Sequence, residues 1–247
     1  MEFHTTQVPL WVSLSFGILF AIVPVWLIVR TIGKALERAH FPNPKAVQRK
    51  VIGFFGIYFT LVGIVALSGF LAVNVLPPRI LIATAIPLFL FYLLVVPRLK
   101  WFQAVWAHVE LEELIFLHVF RFVGVYFFLA SAFGNLPSTF ANIGGWGDVL
   151  TAMLVFPVLY LIRQRSRFAR PATLLWNIFG MLDILSVITT AILVTRAAIA
   201  TGADGIIEFA TFPFCWIPAF APSTIIFLHI LIFRKLAASR VSTPQEA

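Results

Sequence analysis

Residues 8–29 read VPLWVSLSFGILFAIVPVWLIV, 22 positions without a charged side chain, and Arg30 follows at once. A helix rises about 1.5 Å per residue, so this run is long enough to cross about 30 Å of hydrocarbon. Six more apolar runs follow: Val51–Leu76, Ile80–Pro97, Leu114–Phe133, Val149–Ile162, Ala172–Thr195 and Phe209–Phe233. Inside a bilayer every backbone N–H and C=O must find a partner within the protein, so such runs fold as helices. The predicted fold class is therefore an all-α integral membrane protein with seven transmembrane helices. The fifth run has only 14 residues. That is short of the usual span of about 17–25, so its start is expected below the surface together with the loop before it.

Composition agrees with this reading. Of 247 residues, 61% are hydrophobic and 11% charged, where soluble domains carry about a quarter charged residues. A water-soluble globule, a disordered chain and a disulfide scaffold are excluded. Cys215 is the single cysteine, so no intramolecular disulfide can form. The chain opens MEFHTTQ, without a basic segment, and its first apolar run is too long for a cleavable signal. That run is expected to be retained as span 1.

The net charge of +8 does not point to nucleic acid, because the cations are sorted by loop. Of 18 lysines and arginines, 15 fall on one side. They are Arg30, Lys34, Arg38, Lys45, Arg49 and Lys50 after span 1, and Arg98 and Lys100 after span 3. Arg163, Arg165, Arg167 and Arg170 follow span 5, and Arg234, Lys235 and Arg240 follow span 7. The other side holds Arg79 and Arg196, and Arg121 lies within span 4. The positive-inside rule then places the N-terminus outside and the C-terminus inside. The chain reads as one membrane domain: residues 8–100 form a first three-helix unit, 101–133 an interfacial helix and linker span, 148–235 a second three-helix unit, and 236–247 a cytoplasmic tail.

The two units share spacings. Pro24 and Pro157 each precede an arginine, Arg30 and Arg163, by six residues. Phe55-Gly56 in span 2 matches Phe179-Gly180 in span 6, and Pro87 and Pro222 hold similar places before Arg98 and Arg234. This suggests a 3+1+3 parallel repeat, a topology that resembles the SWEET sugar transporters without their sequence motifs. Chance, combined with the shared grammar of membrane helices, explains the spacings equally well.

An ionisable side chain in hydrocarbon needs a partner or a purpose. Arg121 and Asp183 lie deep in spans 4 and 6 and are expected to pair, either as a structural pin or as a ligand anchor. Asn177, Gly180, Asp183, Ser186 and Thr190 recur at helical spacing, and this stripe is expected to face the interior. His229 in span 7 and His118, three residues before Arg121, are candidates for hydrogen bonding or proton handling. As a haem or metal pair they are the weaker reading, since neither helix offers a second histidine at ligand spacing. His108 and Glu112, four apart, read as a solvated face rather than a metal site. Asp148 reads as the N-cap of span 5, with a binding residue on a sunken loop as the alternative. Pro218 and Pro222 should kink span 7. No lysine lies within span 7 to hold retinal, and no Walker, HExxH or GxSxG motif is present. No cofactor is expected.

Several stretches resemble a family of uncharacterised bacterial seven-span membrane proteins. They are Arg121-Phe-Val-Gly124, the loop from Gly134 to Ala141, Gly145-Trp-Gly-Asp148, Trp176-Asn-Ile-Phe-Gly180-Met-Leu-Asp183, and Ile217-Pro218 … Pro222 … Leu228-His229. The resemblance covers roughly residues 115–235. His118 departs from the pattern, where a glutamine is expected, which weakens a His118–His229 ligand pair. The resemblance implies the topology and picks out Arg121, Asp148, Asn177, Asp183 and His229 as binding residues, but names no substrate.

Three functions fit these observations. A carrier or channel for a small polar molecule or ion leads, and predicts a polar cavity between the two units. A membrane enzyme or redox protein using His229, His118 and Asp183 predicts converging ligands. A sensor or assembly partner predicts a closed interior. The bilayer is the one partner the sequence implies outright.

Overall fold

A computed structural model describes residues 6–241. The tail expected beyond 241 lies outside the described residues. Among these, seven helices are long and apolar enough to cross a membrane and no β-strand occurs, which suits a multi-pass membrane protein. The spans are α1 (Leu10–Arg38), α2 (Pro44–Leu67), α3 (Leu81–Arg98), α5 (Leu111–Ala132), α6 (Ser138–Arg163), α7 (Ala169–Thr201) and α8 (Trp216–Val241). A short helix α4 (Lys100–His108) precedes α5, and a 3₁₀ turn (Ile207–Ala210) precedes α8.

Helix ends follow local chemistry more than hydropathy. α1 continues nine residues past the apolar run, so Arg30, Lys34 and Arg38 ride on the helix rather than on a loop. At 29 residues it is about 43 Å long, enough to carry its last turns beyond the hydrocarbon. Asn43 then caps α2: its side chain accepts from the Ala46 N–H at 3.2 Å, and Pro44 takes the first turn, where a missing N–H costs nothing. α2 stops at Leu67 although the apolar run continues to Leu76. Gly69 adopts φ +77°, the left-handed geometry that ends helices. Residues 68–80 form a connection instead.

Span 5 departs most from expectation. It is not short, because α6 starts at Ser138 and takes in the whole IGGWGD stretch. The expected outer loop is thereby reduced to residues 133–137. Asp148 lies ten residues inside the helix and is not an N-cap. α3 runs as π turns on both sides of Pro87, whose ring supplies no N–H to a regular ladder. α5 begins with a reciprocal capping box between Glu110 and Glu113 and tightens to a 3₁₀ helix over His118–Gly124. In α8 Pro222 is interior, but Pro218 sits in the first turn and removes no ladder bond.

The helices surround α8. Its most apolar stretch is 72% buried, against 28–56% for the other spans, and it packs on α2, α3, α5 and α7. The opposite pattern holds outside: Leu10, Ile57 and Leu175 are 72%, 65% and 68% exposed. So much exposed apolar surface would aggregate in water and suits lipid. The even-numbered connections and the odd-numbered ones lie at opposite ends of the bundle. One end, the basic face, has residues 39–43, α4 and residues 164–168. The other, the N-terminal face, has residues 6–9, 68–80, 133–137 and 202–215. At the basic face Arg38 pairs with Glu110 and Glu113, and Arg163 with Glu112 at 3.1 Å.

Candidate functional site: a buried arginine cluster

Arg121 is wholly buried and touches three other helices. Its Nε donates to Asp148 Oδ1 of α6 at 2.7 Å, and its Nη2 donates to Asp183 Oδ2 of α7. Its Nη1 donates to the Gly180 carbonyl at 3.2 Å and lies 3.3 Å from His229 Nε2 of α8. The 3₁₀ segment of α5 aims the guanidinium into this space. The expected Arg121–Asp183 pair is present, and the structure brings Asp148 to it as a second carboxylate.

Arginine only donates, so His229 Nε2 must accept from it. That assigns the ring proton to Nδ1, which meets Asn177 Oδ1 at 2.7 Å. Asn177 Nδ2 in turn donates to the His229 carbonyl at 3.2 Å. Asn177 thus fixes both the tautomer and the ring orientation of His229. Trp176 beside it donates its indole N–H to the Thr151 carbonyl at 3.0 Å, tying α7 to α6.

Glycines let these groups converge. A Cβ on Gly147 would collide with the Asp183 carboxylate, one on Gly124 would lie 2.6 Å from Asp148 Cβ, and one on Gly180 would lie 2.6 Å from His229 Cε1. Helices in lipid approach closely through such small residues. The stripe on α7 serves the cluster only in part: Asn177, Gly180 and Asp183 face inward, whereas Ser186 is exposed and bonds to the Asp183 carbonyl of its own helix.

His118 is also fully buried, and neither of its ring nitrogens has a hydrogen-bond partner. It lies against His229 with ring centroids 4.2 Å apart and against Trp176 at 5.1 Å. Histidine rings in mutual contact leave no space for a porphyrin between them. Among the described residues no three His, Cys, Asp or Glu side chains are grouped to hold a metal. His108 bonds to the Ala104 carbonyl while Glu112 pairs with Arg163, so those two serve separate contacts.

Two spaces lead from the N-terminal face toward the cluster. A polar vestibule of about 470 Å³ is lined by Gln7, Asn135, Asp204, Glu208 and Thr211. Below it a narrow crevice of about 70 Å³ runs between Phe127, Phe140, Val187 and Pro222, and its ionisable lining groups are the exposed Arg79 and the buried Asp148. Ile207 borders both. Glu208 escaped the sequence reading, although a lone carboxylate beside an apolar run is a signal of the same kind as Asp183. It is buried beside Thr6, whose hydroxyl donates to it. Burial pushes its carboxyl up to about 7, with the Gln7 N–H holding it back in part.

A family model described as a domain of unknown function, DUF8737, matches residues 75–237, and the chain belongs to that family. The match contains Arg121, Asp148, Asn177, Asp183, Glu208 and His229, and it reaches back through α3, further than residues 115–235. No curated protein and no solved structure matches the chain.

Proposed function

We propose that this DUF8737 protein sits in a bacterial inner membrane, N-terminus out, and moves a small ion across it, with the Arg121 cluster as the binding centre and the proton as the first candidate. The observation that carries this reading is the charge count of the cluster. One guanidinium faces two carboxylates, so the group becomes neutral on holding one proton. A net charge in hydrocarbon is costly, and a neutral state reached by proton uptake is what a carrier needs at mid-depth. The vestibule and crevice supply an approach to Asp148 from the outer side. His229 and His118 continue from the cluster toward the basic side as two rings in contact. The 3+1+3 repeat, if each unit moves as a body, offers the two halves that would open alternately.

The test is proton flux in proteoliposomes carrying an internal pH-sensitive dye. Wild-type protein should dissipate an imposed pH gradient faster than empty vesicles, and Asp183→Asn, which keeps the shape and removes one titrating group, should slow it. Equal decay in protein-containing and empty vesicles would sink the carrier reading. That result would favour a sensor or assembly partner, a reading supported by Arg121 being fully enclosed.

A further inference from the structure

An apolar cavity lies away from the arginine cluster, in the half of the bundle toward the basic face. Its volume is about 270 Å³, just under the range of about 300–1,000 Å³ typical of small-molecule sites. Phe54, Phe91, Phe102, Phe227, Leu228 and Leu231 form most of its wall. At the deep end Tyr92 and Thr224 bond to each other at 3.0 Å, so one hydroxyl proton of the pair is already used. Water needs several polar partners to occupy such a space, and this lining offers few: Thr31, the Tyr92–Thr224 pair and, at the mouth, Lys50. A void would forfeit the dispersion contacts of every ring around it. The chemistry that fits is a hydrocarbon chain.

The mouth adds charge. Lys50 is exposed and lines the cavity. Trp106, also in the wall, carries Arg234 and Lys235 over its ring at 5.1 and 4.7 Å. The nearby acids Glu110 and Glu113 are engaged by Arg38. The near side is closed by α4, whose Trp101, Phe102, Val105 and Trp106 line the cavity while Gln103, Ala107 and His108 are exposed. This helix hangs between extended residues at each end, Leu99 (ψ 127°) and Val109 (ψ 133°), so it is a short strap rather than a continuation of a span.

We propose that this cavity holds one acyl chain of an anionic phospholipid, which enters beneath α4 and leaves its phosphate between Lys50 and Arg234. Basic pockets between spans are the expected seats of anionic headgroups, and here an apolar chamber opens beside one. The inference is independent of what the Arg121 cluster does.

The test is native mass spectrometry of the full-length protein after delipidation in detergent and re-exposure to vesicles of phosphatidylglycerol or phosphatidylcholine with equal chains. Wild-type protein should retain phosphatidylglycerol in preference. Lys50→Glu should lose that preference, and Val105→Trp, which fills the cavity from α4, should lose most of the bound lipid without a lower unfolding temperature. If Val105→Trp does not fold, Thr31→Phe narrows the same cavity from α1 and should give the same loss. Equal retention of both lipids by wild-type protein, or undiminished lipid in a folded cavity-filled variant, overturns the proposal.

Discussion

Arg121 shows how one side chain can hold four helices to one geometry. Four of its five N–H groups are used, and both carboxylates depend on it for compensation. Arg121→Ala leaves two buried acids facing each other. Removal of one partner of a buried ion pair costs about 3–5 kcal/mol, so the expected result is a large loss of thermal stability in detergent, or no folded protein. Lysine at 121 should rescue little, because a point charge cannot reach Asp148, Asp183 and the Gly180 carbonyl together. A simple exchange of Arg121 with Asp183 should also fail, since it would place one arginine on α7 and leave Asp148 beside a new aspartate on α5. An unchanged unfolding temperature in Arg121→Ala would contradict the pinning role.

Glu208 belongs to the same scale but acts on pH. Its folded value, about 7, lies above its ordinary 4.5, so between these values the folded protein binds more protons than the unfolded chain. Stability should therefore fall as pH rises from about 4.5 to 7 and level off above that. Glu208→Gln should flatten this window in a pH series of thermal unfolding. A slope that is the same in wild-type protein and variant would show that another group sets it.

At the scale of elements, close packing of α5, α6 and α7 is the feature most open to test. Gly147→Ala drives a methyl group into the Asp183 carboxylate, and overpacking of this kind costs about 1–3 kcal/mol. Gly53→Ala on α2 meets nothing within 4 Å. It should be neutral or stabilise by up to about 1 kcal/mol, because alanine loses less freedom in a helix. The contrast is readable in one denaturation series, and equal effects at the two sites would refute the packing account. The same glycines explain why span 5 looked short. Ile143-Gly-Gly-Trp-Gly147 reads as a loop by propensity, yet the absence of side chains there lets Phe127, Phe128 and Asp183 approach the helix, and burial outweighs propensity.

At the scale of the molecule, the asymmetry of charge between the two faces makes a prediction about threading. In a Cys215→Ala background, Asn135→Cys should react with an impermeant maleimide added to intact cells, and Gln164→Cys only after permeabilisation. The reverse pattern would invert the orientation and move the vestibule and Glu208 to the cytoplasmic side.

The number of spans and the sidedness of the cations were legible along the chain, because hydrophobicity and charge are summed residue by residue and need no partner. Arg121, Asp183, Asn177 and His229 stood out for the same reason: a polar group in an apolar run is visible by itself. Their convergence was not, since it depends on which faces of α5, α6, α7 and α8 meet, and spacing along one helix does not say what lies opposite. Asp148 illustrates the difference. Its neighbours suggested a helix start, and only the packing of α6 against α5 and α7 placed it ten residues into a helix and against Arg121. The apolar chamber likewise has no signature in sequence, because it is the space left by six helices whose aromatic side chains cannot all fill the same centre.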